Sequence, residues 1–68
     1  MKRHVRDPGL RADLARDAAR VLRAAPPEAP MARLHYLLRK RGWEGGGGFK
    51  RADLAALAEE HELAGGLV

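Results

Sequence analysis

Residues 31–54 read MARLHYLLRKRGWEGGGGFKRADL, and this stretch decides how the chain folds. Leucines recur at helical spacing until the pattern reaches a basic end, Arg39-Lys40-Arg41. Gly42 is the residue type that most often ends a helix in the left-handed conformation. The four glycines that follow lose too much backbone entropy to form a regular element. The helical pattern restarts near Phe49, so the stretch predicts two helices joined by a loop, with cations on both sides of the loop.

The residues before this stretch predict one further helix. Asp7 can cap a helix whose first residue is Pro8, and Pro26 disfavours a helical residue before it. We therefore predict a small all-α domain of three helices, with a proline-rich first connector and a glycine-rich second connector. Its segments are a basic flexible arm 1–7, a helix 8–25, a linker 26–29, a helix 30–41, a loop 42–48 and a helix 49–63, within a single domain 1–68.

The length of 68 residues allows one domain with a small core. A chain of this size buries only about 60% of the surface that its unfolded form exposes. The sequence has no cysteine, so no disulfide can add stability. The histidines lack the spacing of a metal site, and we predict no cofactor and no metal. Homodimerisation or a partner surface would stabilise so small a domain further.

The charge is unevenly distributed along the chain. Residues 1–43 contain eleven Lys and Arg against four Asp and Glu, whereas residues 44–68 contain two against five. The basic part suits nucleic acid, an acidic protein or an anionic membrane surface as a partner. The acidic part would neutralise the basic part if it folded back onto it.

The sequence predicts neither a membrane protein nor an enzyme. No apolar run approaches the roughly 18 residues of a membrane span, and the basic N-terminus lacks the apolar core of a secretory signal, so we expect a cytoplasmic protein. The chain contains no Ser, Thr or Cys, the usual nucleophiles. A phosphate-binding P-loop ends in Gly-Lys-Ser/Thr, whereas this loop ends Gly48-Phe49-Lys50. Two readings of the loop stay open: a flexible linker, or a cradle in which helix-start N–H groups with Lys50 and Arg51 hold one phosphate.

The cations supply the candidate nucleic-acid-binding residues, because clustered cations gain affinity by releasing counterions from phosphates. A stripe of Arg16, Arg20 and Arg23 on the first helix is partly neutralised by Asp13 and Asp17, and we leave it out. Surface charge without a binding role is the alternative for all of these cations. The eight candidates are Arg33, Arg39, Lys40, Arg41, Lys50, Arg51, Lys2 and Arg3.

The aromatic residues near the glycines have two interpretations. Trp43 and Phe49 can stack on bases beside the cations, or they can close the hydrophobic core. The core interpretation is favoured because the chain has few other large residues. His35 and His61 are interpreted as surface or boundary residues.

Leu34–Leu57 resembles the SAP-type helix-extension-helix modules, which bind DNA. The matching residues are Leu34, Leu37, Leu38, Arg41-Gly42-Trp43, Gly48, Lys50, Leu54 and Leu57. The loop here is longer and richer in glycine than in those modules, and the spacing from Lys50 to Leu54 is one residue too long. The resemblance implies that Arg41, Lys50 and Arg51 contact the DNA backbone.

Residues 51–58 also resemble the helix before the turn in bacterial helix-turn-helix regulators. In that arrangement the third helix would enter the DNA, and its acidic residues would repel phosphate. The sequence as a whole predicts a small basic nucleic-acid-binding protein, regulatory or accessory, that contacts mainly the phosphates of DNA. The alternative is a protein-protein interaction module, a small subunit that docks on a larger assembly of viral or regulatory type.

Overall fold

A computed structural model describes residues 2–66 and confirms a small all-α domain of three helices. The helices are α1 (Arg11–Ala24), α2 (Met31–Lys40) and α3 (Arg51–His61). Two short strands, β1 (Arg3–His4) and β2 (Trp43–Glu44), form a parallel pair. The main helix pair is α1 with α3, and α2 packs against α1.

Asp7 and Pro26 lie at the two ends of the first helical segment, as predicted. The Asp7 carboxylate accepts a hydrogen bond from the Gly9 N–H at 2.9 Å and starts a 3-10 turn, Pro8–Leu10, that leads into α1. Ala25 takes an extended conformation, with ψ 145°, because the following Pro26 excludes a helical one. The predicted helix 8–25 is therefore a 3-10 turn followed by an α-helix that ends at Ala24.

The connection between α2 and α3 is more ordered than the predicted loop 42–48. Gly42 ends α2 with φ 90°, as its residue type predicted. Strand β2 follows, and Gly46–Gly48 then forms a 3-10 turn. Helix α3 begins at Arg51, two residues later than predicted, because the Lys50 N–H donates to the Asp53 carboxylate at 2.8 Å and Lys50 becomes the capping position.

The prediction of a flexible arm over residues 1–7 is corrected for its described part. The Arg3 N–H donates to the Gly42 carbonyl at 2.8 Å, and the Val5 N–H donates to the Glu44 carbonyl at 3.0 Å. Val5 is buried in the core. The extended backbone of β2 offers unpaired polar groups, and the arm satisfies them while burying an apolar side chain.

Gly45 is required where β1 passes β2. Its φ is 82°, and a Cβ atom there would lie 2.6 Å from Nε2 of His4, so a side chain would be both strained and in collision. Gly47 has no atom near the position of a Cβ. The glycines of the connection therefore differ in role. Gly45, the first of the four, allows the N-terminal segment to pack closely against the connection.

Candidate nucleic-acid interface

A buried carboxylate, Asp17, is surrounded by cations from β1, α1 and the end of α2. Asp17 is 1% exposed and lies on the inner face of α1. Its Oδ2 accepts hydrogen bonds from Nε1 of Trp43 at 2.8 Å and from Nη2 of Arg3 at 3.1 Å. Nε of Arg41 lies 3.2 Å from Oδ1 and Nε of Arg16 lies 3.7 Å from it, so both are ion pairs. We call these five residues the Asp17 cluster.

The Asp17 cluster keeps its carboxylate ionised. Burial raises the pKa of Asp17, but the hydrogen bond from Trp43, the contact with Arg41 and the charge of Arg16 together lower the pKa below its usual value. The guanidinium of Arg3 also stacks 4.3 Å from the centroid of the Trp43 ring and donates to the Arg41 carbonyl at 2.5 Å. The Arg3 side chain thus connects β1 to α1 and to the end of α2.

The side chains of three of the eight candidate residues form intramolecular ion pairs or hydrogen bonds that compete with a binding role. Arg3 and Arg41 belong to the Asp17 cluster. Arg51 donates a hydrogen bond to the Ala29 carbonyl and so ties α3 to the proline-rich connector. Arg41 and Arg51 are two of the residues that the SAP-type resemblance assigned to DNA backbone contacts.

The start of α3 is also poorly arranged as a phosphate cradle. The carboxylate of Asp53 already accepts from the Lys50 N–H, in the place where a bound phosphate would lie. A second anion there would be repelled by that carboxylate. Lys50 itself is exposed, as is Lys2 in the N-terminal segment.

The exposed side of α2 presents cations around an aromatic ring. We define the α2 outer face as Arg33, Tyr36, Arg39 and Lys40, all of which are exposed. The Arg33 guanidinium carbon lies 5.5 Å from the centroid of the Tyr36 ring, and the Lys40 ammonium nitrogen lies 5.9 Å from it. Within residues 2–66 none of these three cations has an ion-pair partner.

A shallow groove between α1 and α2 extends this basic surface. The groove has a volume of about 290 Å³ and is lined by Arg20, Val21, Ala24, Leu37, Lys40 and Arg41. Arg20 forms no ion pair among the described residues, because Asp17 points inward to the cluster. Arg20 was left out of the candidates on the expectation that Asp17 neutralises it, so the structure adds it to the exposed cations.

The position of Asp17 in the sequence already indicated that its side chain points inward and does not pair with Arg20. Asp17 lies three residues after Leu14 and four before Val21, which are both buried. A carboxylate at that position falls on the apolar stripe of the helix and needs internal partners.

The acidic residues of α3 do not neutralise the α2 outer face. Glu60 accepts hydrogen bonds from Nε of Arg11 at 3.0 Å and from Nη2 of Arg11 at 2.5 Å, and it thereby binds to α1. The hydrogen bond from Arg11 lowers the pKa of Glu60, and the same hydrogen bond raises the pKa of Arg11. In the described part of the chain, no acidic residue of α3 forms an ion pair with α2.

The aromatic and histidine side chains near the glycines have structural contacts. Trp43 is buried in the core, and Phe49 packs against the core while partly exposed, as the core interpretation predicted. Nε2 of His35 lies 2.9 Å from the Phe49 carbonyl oxygen, which makes it a boundary histidine as predicted. No group of three or more metal-binding side chains occurs within residues 2–66.

Comparisons with known proteins add no relative. No protein-family model matches the chain, and neither curated proteins nor solved structures gave a match. None of the helices described here is long and apolar enough to cross a membrane.

Proposed function

We propose that the protein is a nucleic-acid-binding accessory or regulatory factor that contacts phosphates through the α2 outer face and Arg20. The observation that carries the proposal is the set of exposed cations on α2, with Arg20 lining the same groove as Lys40. Arg33, Arg39 and Lys40 have no ion-pair partner in the described chain, and no acidic residue occurs between Met31 and Trp43.

The charge on this face predicts weak binding that depends strongly on salt. Each phosphate that a cation neutralises on a duplex releases counterions, which gives a slope of about −0.9 in a plot of log affinity against log salt. Arg20 and the three cations of α2 would give a slope of about −3 to −4. Such binding carries no sequence information by itself, because phosphates are the same at every base pair.

A protein-interaction module is the second candidate. Leu63 is 80% exposed, and the groove between α1 and α2 has an apolar floor of Val21, Ala24 and Leu37. A partner held by these apolar surfaces would remain bound as salt is raised, because hydrophobic burial does not depend on released counterions.

The test compares two triple variants on one generic DNA duplex by fluorescence anisotropy over a salt series. The first variant combines Arg33→Ala, Arg39→Ala and Lys40→Ala, and we expect its slope to fall by about 2 to 3. Circular dichroism checks that each variant remains helical, since exposed side chains contribute little to stability.

The matched control removes three exposed cations elsewhere, with Lys2→Ala, Arg6→Ala and Lys50→Ala. Its net charge equals that of the first variant, so the two differ only in where charge is lost. We expect the control to keep most of the wild-type slope. Equal loss in both variants would refute the assignment to α2, and binding that persists at high salt would favour the protein-interaction module.

A further inference from the structure

Tyr36 is the aromatic side chain of α2 that the core does not use. It is 41% exposed, whereas Trp43 is 2% exposed and gives its indole N–H to Asp17. Tyr36 stands on the outward side of the helix, between Arg33 one turn before it and Lys40 one turn after it. Its position therefore cannot be explained by closing the core.

Two neighbouring cations lie over the Tyr36 ring, and a ligand that stacks on the ring would displace them. They lie 5.5 Å and 5.9 Å from the ring centroid, which is a loose cation–π contact on an exposed site. Both side chains are long and flexible, and a phosphate would attract them away from the ring. Arg33 and Lys40 are seven positions apart on the helix, or about 10 Å along the axis, so they can bind phosphates on either side of a stacked nucleotide.

We propose that Tyr36 stacks on a base of single-stranded nucleic acid while Arg33 and Lys40 bind the flanking phosphates. This inference rests on the proposed function and adds a class of ligand to it. Bases in a duplex are already stacked and paired, whereas those of a single strand present free faces to an aromatic ring. The expected ligand is thus a single strand, bound without strong sequence preference.

The experiment measures anisotropy with three labelled probes: a thymidine dodecamer, an abasic strand of the same length, and a 12-base-pair duplex. Tyr36→Leu removes the aromatic face while keeping an apolar side chain at an exposed helical position. We expect it to weaken binding of the thymidine strand on the order of tenfold, which is the effect of losing one stacked base. Affinity for the abasic strand and the duplex should change by less than about twofold, and the salt slope should stay the same.

Tyr36→Phe is the matched control, because it keeps the ring and removes only the hydroxyl. It should bind the thymidine strand within about twofold of wild type. If Tyr36→Leu binds that strand as well as wild type does, with the same salt slope, stacking is refuted and the phosphate-binding proposal stands. If none of the three probes binds at low salt, the proposed function fails and this inference fails with it.

Discussion

The Asp17 cluster and the α2 outer face are both built from cationic side chains, but the cations of the first are paired inside the protein and those of the second are exposed to solvent. In the Asp17 cluster, Arg3, Arg16 and Arg41 surround one buried carboxylate and connect three elements of the fold. On the α2 outer face, Arg33 and Lys40 lie over an exposed ring, and neither they nor Arg39 has an ion-pair partner within residues 2–66.

The comparison shows that the position of a buried carboxylate, and not the number of cations nearby, decides which cations are paired inside the protein and which stay exposed. Lys40 and Arg41 are neighbours in sequence, yet only Arg41 reaches Asp17. A buried carboxylate needs partners and takes the cations within its reach. Cations beyond that reach stay free for a partner outside the molecule.

Removing the charge of Asp17 should have the largest effect on stability. Asp17→Asn leaves three arginines around a neutral amide whose NH₂ group cannot accept hydrogen bonds. Breaking a buried pair costs about 3–5 kcal/mol, and we expect about 2–4 kcal/mol here because the arginines remain partly exposed to water. A domain of this size has only about 3–10 kcal/mol of stability, so the variant should be close to unfolding. Urea denaturation followed by circular dichroism measures the change.

Asp13→Asn is the matched control on the same helix. Asp13 makes only a 3.6 Å ion pair with Arg16, on the exposed side of α1. We expect a loss below about 0.5 kcal/mol. A similar loss in both variants would show that the Asp17 cluster is no more structural than a surface pair.

The pH dependence of stability should identify the same carboxylate. The pKa of Asp17 in the folded state lies below its usual value, so the folded state favours the ionised form. Its contribution is therefore complete above the unfolded pKa of about 3.9 and disappears as the pH falls through the lower folded pKa. We expect the stability gap between wild type and Asp17→Asn to be constant from about pH 5 to 7 and to narrow below about pH 4.

The gap is the quantity to measure, because other carboxylates titrate in both proteins and cancel in the difference. Urea midpoints at matched ionic strength give it at each pH. A gap that widens toward acid would mean that the folded state raises the pKa of Asp17, and it would contradict the cluster as described.

Most of the fold could be predicted from local chemistry. The side chain of Asp7 starts the 3-10 turn before α1, and the C-terminal ends of α1 and α2 follow from the backbone geometry of Pro26 and Gly42. The strand pair could not be predicted in this way. It joins residues about forty positions apart, and a two-residue strand has no alternation to recognise.

The sequence predicted that the candidate site consists of cations, but it could not predict which cations are exposed and which are paired inside the protein. The exposed cations of α2 are among the residues predicted from charge alone, and their role in binding stays a prediction. Arg3, Arg41 and Arg51 are arginines like those exposed on α2, and only contacts with residues distant in sequence distinguish them. The partner is Asp17 for the first two and the Ala29 carbonyl for the third. Tyr36 needed the structure, because a residue beside a helical leucine stripe has no definite exposure until the other helices are placed.

The smallest effects on stability and binding are expected at Lys40 and Arg41, which are adjacent in sequence but belong to different regions. Arg41→Ala removes one of three arginines from the Asp17 cluster, and we expect a loss of about 1 kcal/mol, since Arg3 and Arg16 remain. Lys40→Ala removes an exposed cation and should change stability by less than about 0.5 kcal/mol.

The effects of the two substitutions on binding should be reversed. Lys40→Ala should reduce the salt slope by about 1, whereas Arg41→Ala, measured where it is fully folded, should leave the slope unchanged. A reduced slope in Arg41→Ala would mean that its guanidinium leaves Asp17 for a phosphate, and the two regions would then exchange cations when a partner binds.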